Sequence, residues 1–237
     1  MRLLVIRHAD PDYKNNTITP PGHLEAKALA AKLARDGLDA IHCSPLGRAR
    51  DTMRYTAEAL SLEPVIEEWT QEVWNELLVE GTPWKSLAAW DHPGELYRAD
   101  LEAARTSAWE RMQYVSGAKA RIDGTLSKIR DDSDAFLARL GYVRDGGSYL
   151  VERPSRKKIA VFCHGGFGLC WLSQLLEIPP ALMWSGFWLA PSSVTTILFD
   201  ERSEGRAVPR CIGLGDVSHL HEACLPVSTG GIKANFW

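Results

Sequence analysis

Leu3-Leu4-Val5-Ile6 is an unbroken apolar run that ends on Arg7-His8. Such a run predicts a short strand buried on both faces, because a strand with one wet face alternates apolar and polar side chains. Burial on both faces requires covering helices, and the following sequence supplies them. Thr19-Pro20-Pro21 predicts a helix start, since a threonine hydroxyl can accept a free backbone N–H and proline suits the first turn. Leu24, Ala28, Ala31 and Leu33 are its expected apolar face, and Gly37 its end. Leu38 to Cys43 reads as a second strand. Ser44-Pro45 repeats the cap-and-proline pattern and opens a second helix, with Leu46, Ala49, Met53, Ala57 and Leu60 inward. Pro64-Val65-Ile66 is a third short strand.

The pattern returns near the other end of the chain. Ile159-Ala160-Val161-Phe162-Cys163 is another buried strand, followed by His164-Gly165-Gly166 and a helix from about 167 to 177. Residues 194–199 and 209–214 read as a closing hairpin around a polar turn. Strands alternating with helices predict an α/β fold, a three-layer sandwich with a mostly parallel central sheet and helices on both faces. Residues from about 77 to 157 break the rhythm. They are rich in Trp, Arg and acids and mainly helical in spacing, with a hairpin around Asp145-Gly146-Gly147. They are expected as an insertion over the carboxyl-terminal edge of the strands, within a single domain spanning 1–237.

Composition narrows the function classes. The 237 residues are 45% hydrophobic and 24% charged, which is ordinary for a globular chain. A net charge of −3 argues against a nucleic-acid or anionic-membrane binder, although a local basic pocket is compatible with it. No run is long and apolar enough for a membrane span or a leader peptide. The 5 cysteines show no CxxC and no paired zinc spacing, so a reduced, cytoplasmic protein is expected, with no metal and no cofactor. His219-Leu220-His221 with Cys224 lacks an evident fourth ligand.

In open α/β sheets, ligands sit at the carboxyl ends of the strands. Arg7-His8 follows the first strand. Ser44 follows the second, with Arg48 one turn into the next helix. His164-Gly165 follows the strand at 159–163. Parallel strands would bring two histidines and two arginines to one edge. Helix side chains tilt toward the helix N-terminus, which aims Arg48 at that edge. Fork-shaped guanidinium donors suit a phosphate oxygen pair, and glycine backbone at a helix N-terminus suits an anion. Histidine can accept a transferred group covalently. A proton for a leaving oxygen would come from Glu72, with Glu76 as its rival.

With these motifs in register, the chain resembles the histidine phosphatase superfamily, in its phosphoglycerate-mutase-like branch. Arg7-His8-Ala9 stands where that family carries Arg-His-Gly, and Thr19-Pro20-Pro21-Gly22 where it carries Thr-x-x-Gly. Ser44, Leu46, Arg48, Ala49 and Thr52 match Ser-x-Leu-x-Arg-Ala-x-x-Thr. His164-Gly165 matches its second His-Gly, and His219-Leu220 a late His-Leu. The resemblance implies that His8 is phosphorylated and dephosphorylated in turn. It implies that Arg7, Arg48, His164 and Gly165 bind the phosphoryl group, that Glu72 is the acid, and that His219 lies near the pocket. Asp10-Pro11-Asp12-Tyr13 departs from the Ser-x-x-Asn continuation of the mutases, which favours a metal-independent phosphomonoester phosphatase over a mutase. A non-catalytic phospho-ligand-binding domain is the third class. The expected partner is a small-molecule phosphate ester, with a homodimer left open. Trp69, Trp74, Trp84, Trp90 and Trp109 are either core or an apolar wall for the substrate.

Overall fold

The two apolar runs form the middle of the sheet. Leu3 and Val5 face one core while Leu4 and Ile6 face the other, and Ile159, Val161 and Cys163 alternate in the same way with Ala160 and Phe162. The period-2 alternation of a strand thus divides a continuous apolar sequence between two cores. The computed structural model describes residues 1–80, 83 and 87–232. Its principal sheet has eight strands. In chain order they are β1 (Arg2–Arg7), β2 (Ala40–Cys43), β3 (Val65–Ile66), β4 (Tyr142–Asp145), β5 (Ser148–Val151), β6 (Lys158–Cys163), β7 (Val194–Ser203) and β8 (Arg206–Asp216). Their order across the sheet is β3-β2-β6-β1-β7-β8-β5-β4. The half from β3 to β1 is parallel, and pairing is antiparallel from the β1–β7 contact onward.

Helices α1 (Pro20–Asp36) and α2 (Gly47–Leu60) cover one face. Helices α3 (Lys119–Arg139) and α4 (Gly165–Leu176) cover the other, where Trp69, Phe136, Phe167 and Trp171 form an aromatic cluster. Phe162 is fully buried between strand and helices. Its truncation to alanine would cost about 3–5 kcal/mol. Among the described residues, no helix is long and apolar enough to cross a membrane.

Thr19 caps α1 by accepting the Gly22 N–H, as its sequence predicts. The inward face of α1 differs from the expected one. Leu24 is 51% exposed, and the buried residues are Gly22, Glu25, Ala26, Leu29, Ala30 and Leu33. The cause is at Gly22, where a Cβ would lie 2.5 Å from the Asp10 carbonyl oxygen. That close approach fixes the rotation of the helix and buries a carboxyl. Ser44 is likewise not the N-cap of α2. That place belongs to Leu46, and the Ser44 hydroxyl meets His164 instead.

The hairpin expected within 77–157 forms as β4 and β5 and extends the central sheet. Helix α3 packs against α4. The part of this region that reaches the strand ends includes Ala89–Asp91. There the Trp90 ring lies so close to Gly166 that a Cβ would be 2.2 Å from it. Trp84 lies outside the described residues.

Candidate active site

Parallel register assembles the site. Arg7 is paired with Cys163 across β1 and β6, and Cys43 with Phe162 across β6 and β2. The residues that follow on each strand are therefore neighbours. The His8 N–H donates to the Cys163 carbonyl at 2.9 Å and the Ser44 N–H to the Phe162 carbonyl at 2.9 Å. The rings of His8 and His164 stand with centroids 5.2 Å apart.

His8 is 1% exposed. Its Nδ1 lies 2.8 Å from the Ala9 carbonyl oxygen, which can only accept, so Nδ1 carries the proton and Nε2 presents its lone pair. Burial, followed by the charge of Arg7, holds the His8 pKa well below the usual imidazole range. Ala9 needs no glycine backbone, since its φ is not positive. Its N–H donates to the Thr52 hydroxyl at 2.9 Å, which in turn donates to the Arg48 carbonyl at 2.8 Å. Thr52 thus ties α2 to the His8 loop.

Both arginines are buried, and each is held at one end only. Arg7 Nη1 donates to the Leu189 carbonyl at 2.6 Å and Nη2 to the Gly230 carbonyl at 3.0 Å, while Nε has no protein partner. Arg48 Nη1 donates to Asn16 Oδ1 at 3.1 Å, its guanidinium lies 5.5 Å from the Tyr13 ring centroid, and its Nε has no protein partner. Gly165 allows Arg7 its place, since a Cβ there would lie 3.1 Å from Nε. His164 is fully buried, with Nε2 at 2.8 Å from the Ser44 hydroxyl and Nδ1 without a protein partner. Burial, then the nearby His8 and arginines, hold its pKa well below the usual range. Two guanidinium groups and a neutral imidazole, each with donor capacity left over, have the chemistry to hold an anion.

Of the candidate carboxylates, Glu72 faces this site. Its oxygens accept the Phe167 N–H at 2.7 Å and the Gly166 N–H at 3.2 Å, at the N-terminus of α4. Burial pushes its pKa up, against the lowering effect of those N–H groups and of Arg48. Glu76 is exposed. Glu67 is buried but committed to Arg139 and His42, at 2.6 and 3.0 Å. Arg7, Arg48, Glu72 and Gly165 line one cavity of about 440 Å³. Trp74 and Trp90 line it too, whereas Trp69 and Trp109 belong to the core.

The late histidine, His219, is buried one step behind the site and does not line the cavity. Its Nε2 lies 3.0 Å from the Ser192 hydroxyl, and the Ser192 N–H donates to the His8 carbonyl at 3.0 Å. Among the described residues, no cluster of three or more His, Cys, Asp or Glu is placed to hold a metal ion. Phe187, Trp188 and Gly231, which also line the cavity, escape sequence reasoning. An aromatic pair just past a helix end was the one available signal for the first two.

A family model described as histidine phosphatase superfamily (branch 1) matches residues 3–208. Phosphoserine phosphatase 1 of Hydrogenobacter thermophilus is 27% identical over 143 residues, covering 55% of this chain and 64% of that relative. A crystal structure of a phosphoserine phosphatase variant from Entamoeba histolytica, in complex with phosphoserine, is similar at a TM-score of 0.60 and 18% identity. The match covers 92% of this chain and 98% of that one. A mycobacterial glucosyl-3-phosphoglycerate phosphatase is similar at 0.56 and 19% identity, over 90% and 98% of the two chains. At these identities the structural matches concern the fold.

Proposed function

The chain belongs to the histidine phosphatase superfamily (branch 1), and on that premise we propose that it is a phosphomonoester phosphatase working through phosphohistidine on His8. One observation carries the proposal. The unprotonated Nε2 of a buried, neutral His8 is set beside Arg7, Arg48 and His164, in the site that Glu72 faces.

The chemistry follows from these positions. Arg7, Arg48, His164 and Gly165 bind the phosphoryl oxygens, whose spread of charge such donors stabilise. His8 Nε2 attacks phosphorus, the ester P–O bond breaks, and its electron pair leaves on the alcohol oxygen. Glu72, whose pKa burial raises, gives its proton to that oxygen. Water then attacks the phosphohistidine while Glu72 takes the proton back. The P–N electron pair returns to Nε2 and inorganic phosphate departs. The cationic side chains supply the charge stabilisation, so activity should survive exhaustive chelation.

The curated relative bears the name of a phosphatase, which favours transfer to water over return to the substrate. His8→Ala should abolish ester hydrolysis and any acid-labile phosphoenzyme, and full turnover by that variant would overturn the assignment. Isomerisation of a phosphoglycerate without phosphate release would move the function to a mutase.

A further inference from the structure

We propose that the ester hydrolysed at this site carries an uncharged aromatic ring on its alcohol side, seated against Trp74, Trp90 and Phe187. The proposal rests on the phosphatase reading above and names its substrate class.

Three Phe, Tyr or Trp side chains are exposed among the described residues: Tyr13 at 62%, Trp74 at 42% and Phe187 at 37%. All three line the cavity that holds Arg7 and Arg48. They come from the loop after β1, from the stretch after β3 and from the end of a helix at Pro180–Gly186, so local sequence does not gather them. Leaving aromatic surface in water is unfavourable, and its concentration in one concave place marks a ligand surface. Trp90 and Trp188 add two half-buried rings. The Trp90 ring packs against the Gly166 backbone, in the space that any side chain at position 166 would need.

Charge decides the other half of the argument. Among the described lining residues, Arg7 and Arg48 are the only cations, and both stand at the phosphoryl end. An ester with a carboxylate or second phosphate would place that anion against aromatic rings. A neutral ring meets matching walls there, and about 440 Å³ accommodates a phosphoryl group with a ring attached.

The test compares 2-phenylethyl phosphate with n-propyl phosphate and phosphoserine on the unmodified protein, with p-nitrophenyl phosphate as a general phosphatase substrate. The first two leave as alcohols of similar basicity, so general-acid demand does not separate them. A hydrophobic pocket discriminates by roughly tenfold or more for even one methylene. We therefore expect kcat/KM for the phenylethyl ester to exceed that for the propyl ester by at least about tenfold, and phosphoserine to be the poorest of the three. Trp74→Ala and Phe187→Ala should each reduce the phenylethyl-to-propyl ratio. 2-Phenylethyl phosphonate should inhibit the unmodified protein more tightly than n-propyl phosphonate, a comparison that needs no variant to fold. A ratio near one, or a preference for phosphoserine while p-nitrophenyl phosphate is hydrolysed, overturns the ring proposal alone. Hydrolysis of none of these esters overturns the phosphatase reading and this inference with it.

Discussion

His164 Nε2 lies 2.8 Å from Ser44 Oγ, across two neighbouring parallel strand ends and 120 residues of sequence. The Ser44 oxygen also accepts the Leu46 N–H at 3.3 Å, and its own proton is available to His164 Nε2. With Ser44 as donor, the ring proton of a neutral His164 sits on Nδ1, the buried nitrogen without a protein hydrogen-bond partner. Ser44 thereby supports an uncharged imidazole that can still donate to a phosphoryl oxygen.

Ser44→Ala should loosen this arrangement. A lost neutral hydrogen bond is worth about 1 kcal/mol, or roughly fivefold in kcat/KM. Inhibition by inorganic phosphate should weaken in parallel, with the melting temperature little changed. Unaltered phosphate affinity would show that His164 needs no such partner.

Glu72→Gln tests the proposed proton donor. General-acid help to an alkoxide is worth roughly 10²–10⁴-fold, and a weakly basic aryl leaving group needs it less. The variant should therefore lose far more activity on an alkyl phosphate than on p-nitrophenyl phosphate. In the unmodified protein, alkyl-ester turnover should fall as pH rises through the raised Glu72 pKa. Glu76 is exposed, so Glu76→Gln should show neither effect. The same substrate selectivity in Glu76→Gln would transfer the role.

Glu25 is 3% exposed, and burial pushes its pKa from 4.5 up to about 7. The folded state then binds this proton more tightly than the unfolded chain does. Below pH 4.5 both states are protonated and no penalty exists. Between pH 4.5 and about 7 the folded state holds a proton that the unfolded chain has lost, so stability declines as pH rises. Above about pH 7 the whole penalty of a buried carboxylate applies, on the order of 3 kcal/mol. Chemical denaturation should show Glu25→Gln gaining on the unmodified protein across that window. A pH-independent difference would mean that Glu25 stays ionised throughout.

At Gly47 an added Cβ would stand 2.1 Å from the Asn16 carbonyl oxygen. Gly47→Ala must push that loop away, and with it the Asn16 oxygen that holds Arg48. Overpacking of this kind costs about 1–3 kcal/mol. Losing a hydrogen bond to a charged group adds about 1.5 kcal/mol, near tenfold in phosphate affinity. Differential scanning calorimetry and phosphate inhibition together check both parts, and a normal Ki with a lowered Tm would confine the effect to packing.

Much of this fold was legible because its signals are local. The runs at 3–6 and 159–163 could only be satisfied by burial on two faces, and they became the central strands. Thr19-Pro20 started a helix for reasons contained within one turn. Residues at strand ends inherit their place from the strands, and Arg48 stands in the first turn of the helix that follows one, so Arg7, His8, Arg48 and His164 are readable as neighbours from the sequence. The helix face of α1 was not readable, because a contact between Gly22 and the Asp10 backbone chose it, and that contact joins different elements.

Periodicity and capping act over a few residues, and they set which strands are buried, which helices flank them and which cationic side chains stand at their ends. Which glutamate faces those cations was settled by contacts between distant elements. Glu67, Glu72 and Glu76 are near neighbours in sequence, and the N-terminus of α4, an element more than 90 residues away, captures Glu72 through the N–H groups of Gly166 and Phe167. Contacts between distant elements also bring Tyr13, Trp74 and Phe187 to one cavity. Those choices depend on strand register and on how loops meet across the sheet edge, distances that no local pattern encodes.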